Sequence, residues 1–182
     1  MSDEQNQTNY DIVRQRFAER QEAKRKFCQE NNSFVKMVAH GFRDFMEMPK
    51  TYDHMEDGTT TSRSYVPLYS LEDDGSFTER TDWGEAIGHY SNGDFDFGLG
   101  IVLEPKPDAY PKQVVRVKVE CSRKPDTVEV TIDGETVTCT FDGMESPDVS
   151  KVHDLLYELL NKWLMSRWGE PDPKRSIGFH LG

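Results

Sequence analysis

From residue 113 to residue 141 the chain alternates apolar and polar side chains, and this alternation constrains the fold more than any other feature. QVVRVKVEC (113–121) places Val115, Val117, Val119 and Cys121 on one side of an extended chain. Residues 127–132 and 135–141 repeat the pattern on either side of Asp133-Gly134. Val128, Val130, Ile132, Val137, Cys139 and Phe141 share one side, and Thr136, Thr138 and Thr140 share the other. Asp-Gly suits a tight hairpin turn because both residues tolerate the positive φ that a type I′ turn needs. A period of two interrupted by such a turn implies adjacent antiparallel strands with one buried face.

The same reasoning extends upstream. Residues 62–71 (SRSYVPLYSL) are expected as a strand with Pro67 at an edge or bulge. Residues 83–90 and 94–104 flank Ser91-Asn92-Gly93, a second tight-turn signal. Helical periodicity brackets the strands. Thr8 is placed to cap a first helix, with Asp11 three residues on in a capping-box arrangement. Its stripe is Tyr10, Val13, Phe17 and Phe27, interrupted by Arg20, Gln21 and Lys24. Asn31-Asn32 is expected to break this helix. Ser33 then caps a second, which carries Phe34, Met37, Val38, Gly41, Phe42 and Phe45 and stops before Pro49.

Ser146-Pro147-Asp148 opens a long C-terminal helix, with Ser146 as cap and Pro147 at the first position; Gly169 and Pro171 end it. Val149, Val152, Leu156, Leu159, Leu160 and Trp163 form its stripe, widened by Tyr157, Leu164 and Trp168. A stripe that wide needs cover from two sides. The expected fold is α+β: two N-terminal helices, an antiparallel meander of five to six strands with two tight hairpins, and the long helix packed on the sheet. A disordered stretch, 1–7, precedes a single domain, 8–170. In the tail, 171–182, Ile177, Phe179 and Leu181 alternate as in a short edge strand.

Function is harder to read. GDFDFGLG (93–100) contains the Asp-Phe-Gly of protein kinases, but the glycine-rich loop, paired lysine and catalytic loop of that chemistry are missing. Gly98-Leu99-Gly100 sits inside a strand pattern, so it is not a dinucleotide turn either. The odd residues Phe95, Phe97, Leu99 and Ile101 point one way. Asp94, Asp96, Gly98 and Gly100 point the other, leaving bare backbone that a crossing helix, a ligand or a partner chain would cover. His89, Asp94 and Asp96 are the one compact set resembling metal ligands, although solvated turn carboxylates fit the same spacing. No cofactor is implied.

The net charge of −11 is concentrated in residues 51–100, which hold two Lys/Arg against eleven Asp/Glu. Such a field repels nucleic acid and anionic membranes and attracts basic partners. Three widely spaced cysteines without CxxC spacing, a polar N-terminus and the lack of a long apolar run fit a reduced, cytoplasmic setting. The reading that follows is a non-catalytic protein-binding module, partnered by another protein, a basic one in particular, or by itself. Asp94, Asp96, Gly98, Gly100, Trp163 and Trp168 are its candidate surface. The alternatives are a small apolar ligand held in a helix-grip-like cavity, a nucleic-acid mimic that inhibits a DNA-binding protein, and an enzyme built on His89, Asp94 and Asp96.

Overall fold

A computed structural model describes residues 8–141, 147–166 and 179–181. The chain opens with α1 (Asn9–Phe45), one helix of 37 residues where two were expected. Thr8 caps it with a complete capping box: its hydroxyl accepts from the Asp11 N–H, and the Asp11 carboxylate accepts from the Thr8 N–H. Asn31-Asn32 does not break the helix. Asn31 is buried and hydrogen-bonded to distant residues, and those contacts outweigh its poor helix propensity. Ser33 is not a cap; its hydroxyl donates to the Gln29 carbonyl one turn back, as a mid-helix serine does.

Ten strands follow among the described residues, more than the five to six expected. β1 (Thr51–Glu56) and β2 (Thr59–Ser64) pair alone as a hairpin across Asp57-Gly58. β3 (Leu68–Leu71), β4 (Phe77–Arg80), β5 (Ile87–His89), β6 (Phe95–Leu103), β7 (Gln113–Arg123), β8 (Thr127–Ile132) and β9 (Glu135–Thr140) build the main antiparallel sheet, in the order β4-β3-β6-β7-β8-β9, with β5 beside β6. The expected strand 62–71 is therefore two strands divided around Pro67. After β9 come α2 (Ser150–Met165) and β10 (Phe179–Leu181), which pairs with Val115–Val117 of β7. α2 starts later than Pro147 suggested. Asp148 accepts from the Ser150 N–H and hydroxyl just ahead of its first turn. Ser146, Gly169 and Pro171, the remaining expected helix boundaries, lie outside the described residues.

The odd residues of β6 meet Val115, Val117 and Val119 of β7 and Val128, Val130 and Ile132 of β8 in one core. α1 covers it with Phe34, Val35, Val38 and Phe42, and α2 with Val152, Leu156 and Leu160. Phe34 packs edge-on against Phe95 and Phe141, at 5.9 and 5.5 Å between centroids. The main stripe of α2 is covered by the β8–β9 side of the sheet and by α1, but Tyr157 and Leu164, which widen it, stay exposed. Where the helices meet, Gly41 leaves room for His153: a Cβ there would lie 2.5 Å from His153 Cε1.

The β1–β2 hairpin is fastened to the main sheet by Lys112. Its side chain is only 5% exposed and its ammonium pairs with Glu104. The rings of Tyr52, Tyr65 and Tyr110 surround it at 5.2–5.3 Å. The carboxylate and the Tyr65 hydroxyl hold its pKa above the usual lysine value. Lys112→Met is expected to make residues 51–64 the first site of limited proteolysis while the main sheet unfolds at nearly the same urea concentration. Cleavage no faster than in the parent would show that the hairpin is held by other contacts.

Candidate binding surface

The face of the main sheet turned away from the helices carries a groove of about 610 Å³. A single cross-strand row forms its floor: Asp96 of β6, Glu120 of β7 and Thr131 of β8 stand directly opposite one another in turn, with Gly88 of β5 continuing the row beyond Asp96. The strand period of two turns all of these away from the core. Tyr90, Asn92 and Asp94, from the β5–β6 turn, line one end, and Lys118 lines the groove one step along β7.

Asp96 is 7% exposed and accepts a 2.8 Å hydrogen bond from the Tyr90 hydroxyl. That bond, more than burial, raises the phenol's pKa. Gly88 is needed here, since a Cβ at that position would overlap Asp96 Oδ1. Asp94 is held by the Asn92 side chain at 2.7 Å. Glu120 pairs with Lys118 at 2.8 Å, both of them about half exposed.

Asp96 and Glu120 are thus carboxylates on directly opposed positions of neighbouring strands. Their Cβ atoms sit about 5 Å apart in such a pair, and like charges there are destabilising by a few tenths of a kcal/mol or more. Lys118 offsets one of them. The other faces the groove with a neutral phenol as partner.

The metal-like set is not assembled. His89 is the cross-strand neighbour of Phe95, so it faces the core side while Asp96 faces the groove. No group of three or more metal-binding side chains occurs among the described residues. His89 belongs instead to a half-buried chain of polar groups. Glu30 pairs with Arg123, which donates to Asn31 Oδ1; the Asn31 amide lies 3.3 Å from His89 Nδ1. With the amide oxygen taken by Arg123, the amide nitrogen donates and His89 Nδ1 must accept. The ring is therefore neutral, and burial, with Lys24 nearby, keeps its pKa below the usual histidine value.

His153 behaves alike. Its Nε2–H donates to the Val38 carbonyl, and burial lowers its pKa. Histidines that resist protonation only when folded make the unfolded state the better proton acceptor. Stability should be fullest above about pH 6.5 and decline as the pH falls below it. Urea midpoints at pH 7.5 and 5.5 test this, and His153→Gln, which keeps a donor for Val38, should flatten the slope.

The bare strip at Gly98 and Gly100 is covered, but by neither a helix nor a ligand. Tyr69, directly opposite Gly98 on β3, lays its side chain across both glycines. Phe77 covers Gly98, and Pro67 covers Gly100. Arg116 stacks over the Tyr69 ring at 4.9 Å. These two glycines are a packing site that closes off the groove. Trp163 packs against the core from α2, and Trp168 lies outside the described residues.

The N-terminal part of α1 was not singled out as a surface by its sequence. Residues 9–29 contribute no buried side chain, and Tyr10, Val13 and Phe17 are 71, 60 and 61% exposed. Their spacing was legible; that nothing in the described chain covers them was not. The Phe27 ring touches the β5–β6 turn, 3.8 Å from where a Gly93 Cβ would lie, so this arm leaves the body beside the groove. No helix among the described residues is long and apolar enough to cross a membrane. The chain matches no protein family, no curated protein and no solved structure.

Proposed function

We propose that the chain is a non-catalytic protein-binding module that receives basic side chains of a partner in the groove on the outer sheet face. The observation that carries this reading is the Asp96–Glu120 pair. Two carboxylates on opposed strand positions cost stability, and an arriving ammonium or guanidinium would turn that cost into attraction. Tyr90 adds a ring on which a guanidinium can stack. Cys121, the thiol nearest the groove, has its pKa pushed well up by burial, which disfavours a thiolate nucleophile.

A short arginine-rich peptide titrated into the protein is expected to bind with an affinity that falls at higher salt. Asp96→Asn should weaken it about tenfold, as loss of one charge-assisted contact does. Glu120→Thr should weaken binding as well, yet stabilise the fold by up to about 1 kcal/mol in urea unfolding, because the opposed charges are gone. A variant that loses stability and binds as before would sink the proposal. The nucleic-acid-mimic reading shares the acidic surface and is separated from this one by whether duplex DNA competes with a DNA-binding partner. The apolar-cavity reading is not favoured, since Phe34 of α1 packs directly against Phe95 and Phe141 between sheet and helix.

A further inference from the structure

We propose that the basic partner is a second copy of this chain, and that the two copies lay their α1 arms side by side, the start of each arm reaching the end of the other copy's groove. This rests on the reading of the groove just given. Residues 9–29 span about 31 Å as a helix. Most helical stability in proteins comes from packing an amphipathic face. Tyr10, Val13 and Phe17 are such a face, and they stand uncovered.

Charge selects the occupant. Residues 9–29 hold six Lys/Arg against three Asp/Glu, a balance of +3, so the rest of the chain carries −14 of the total −11. Asp11 and Glu22 are engaged within the arm by Arg14 and Arg25. Arg16, Arg20 and Lys24 form no ion pair among the described residues. The surface that complements this arm is therefore on the same chain. The arm cannot fold back onto it, because α1 runs unbroken from the arm into the core.

A two-fold axis near Ala18 and Glu19 solves the geometry. Two arms laid antiparallel about that point put Phe17 of each opposite Arg20 of the other, and Asp11 opposite Lys26. The start of each arm then reaches the root of the other, at Phe27 and the 90–94 turn. That turn also lines the groove. Arg14 lies opposite Ala23 of the other copy, about 6 Å along the arm from its Phe27, close enough for the long side chain to reach that copy's Asp94. The arms repel each other as like charges, and the grooves supply the compensating carboxylates. Every contact is made twice, as a closed two-fold interface requires.

Sedimentation of the full chain from about 1 to 100 μM is the test, a range that brackets micromolar self-association. A monomer–dimer equilibrium is expected, shifted at least tenfold toward monomer in about 1 M NaCl, where the Debye length is near 3 Å. Phe17→Asp should give a monomer with an unchanged urea midpoint for the body. Arg14→Glu and Asp94→Lys should each weaken the dimer, and mixing the two variants should restore association. A chain that stays monomeric throughout, or a dimer indifferent to salt and to both charge reversals, overturns the proposal. A synthetic peptide of residues 8–29 separates the two levels. If it binds the groove while the full chain is monomeric, the groove reading stands and the pairing of arms falls.

Discussion

Arg123→Ala is expected to lower the free energy of unfolding by about 3–5 kcal/mol, the usual result of removing one member of a buried ion pair. Arg123 and Glu30 are 13 and 8% exposed, and they join β7 to the middle of α1. The guanidinium is also held between two aromatic rings, Phe27 and Phe141, each at 4.7 Å. Truncation would leave the Glu30 carboxylate buried with only Lys26, 3.8 Å away and largely solvent-exposed, to offset it. It would also free the Asn31 carbonyl and so release the amide that holds His89. The control is Glu30→Met/Arg123→Met. Apolar side chains of similar length keep the packing without an orphaned charge and should recover most of the loss. A single-variant loss under about 1 kcal/mol would mean the pair acts as a solvated surface bridge.

The same cluster explains why one boundary was misread. Asn31-Asn32 is a poor helical dipeptide, and nothing within ten residues of it argues otherwise. Its decisive partner, Arg123, is 92 residues away. Local pattern cannot supply a contact at that separation. The strands from β6 to β9 were legible because one face is buried and the other is not. Burial of that kind writes a period of two into the sequence. The β1–β2 hairpin has no such face, since most of its residues are exposed. Its one signal is Asp57-Gly58, both at positive φ, the same chemistry that located Asp133-Gly134.

His89 groups with Asp94 and Asp96 in the sequence because it lies just across their turn, a proximity that does not say which face it takes. The three-residue turn Ser91-Asn92-Gly93, with Tyr90 N–H bonded to the Asp94 carbonyl and Gly93 N–H to the Tyr90 carbonyl, decides that face. It sets His89 opposite Phe95 and turns its side chain to the core side. The groove floor, by contrast, depends on registers across three strands, and parity within one strand cannot reveal which carboxylates end up opposed.

Gly98→Val is expected to cost about 3 kcal/mol, at the upper end for overpacking. Valine favours strands and narrows the unfolded ensemble, so on propensity alone the change should stabilise. Steric contact decides the sign. A Cβ at Gly98 would lie 2.6 Å from Phe77 Cδ1 and 2.8 Å from Tyr69 Cβ. The first contact is with a ring that can swing away. The second cannot yield, because Tyr69 Cβ is fixed to the backbone of the strand paired at that point. In a Phe77→Ala background, Gly98→Val should therefore remain destabilising relative to Phe77→Ala alone, as urea unfolding would show. Tyr69 takes the place of a side chain that the glycine lacks, the arrangement known as aromatic rescue. It also sets where the binding surface ends. Lys118 stands opposite Gly98, at the border between the open groove and the ring-covered glycines. If Gly98→Val were neutral, Tyr69 and Phe77 would not be seated on the strand. The groove would then continue along β6 past Gly100, offering a partner apolar backbone as well as carboxylates.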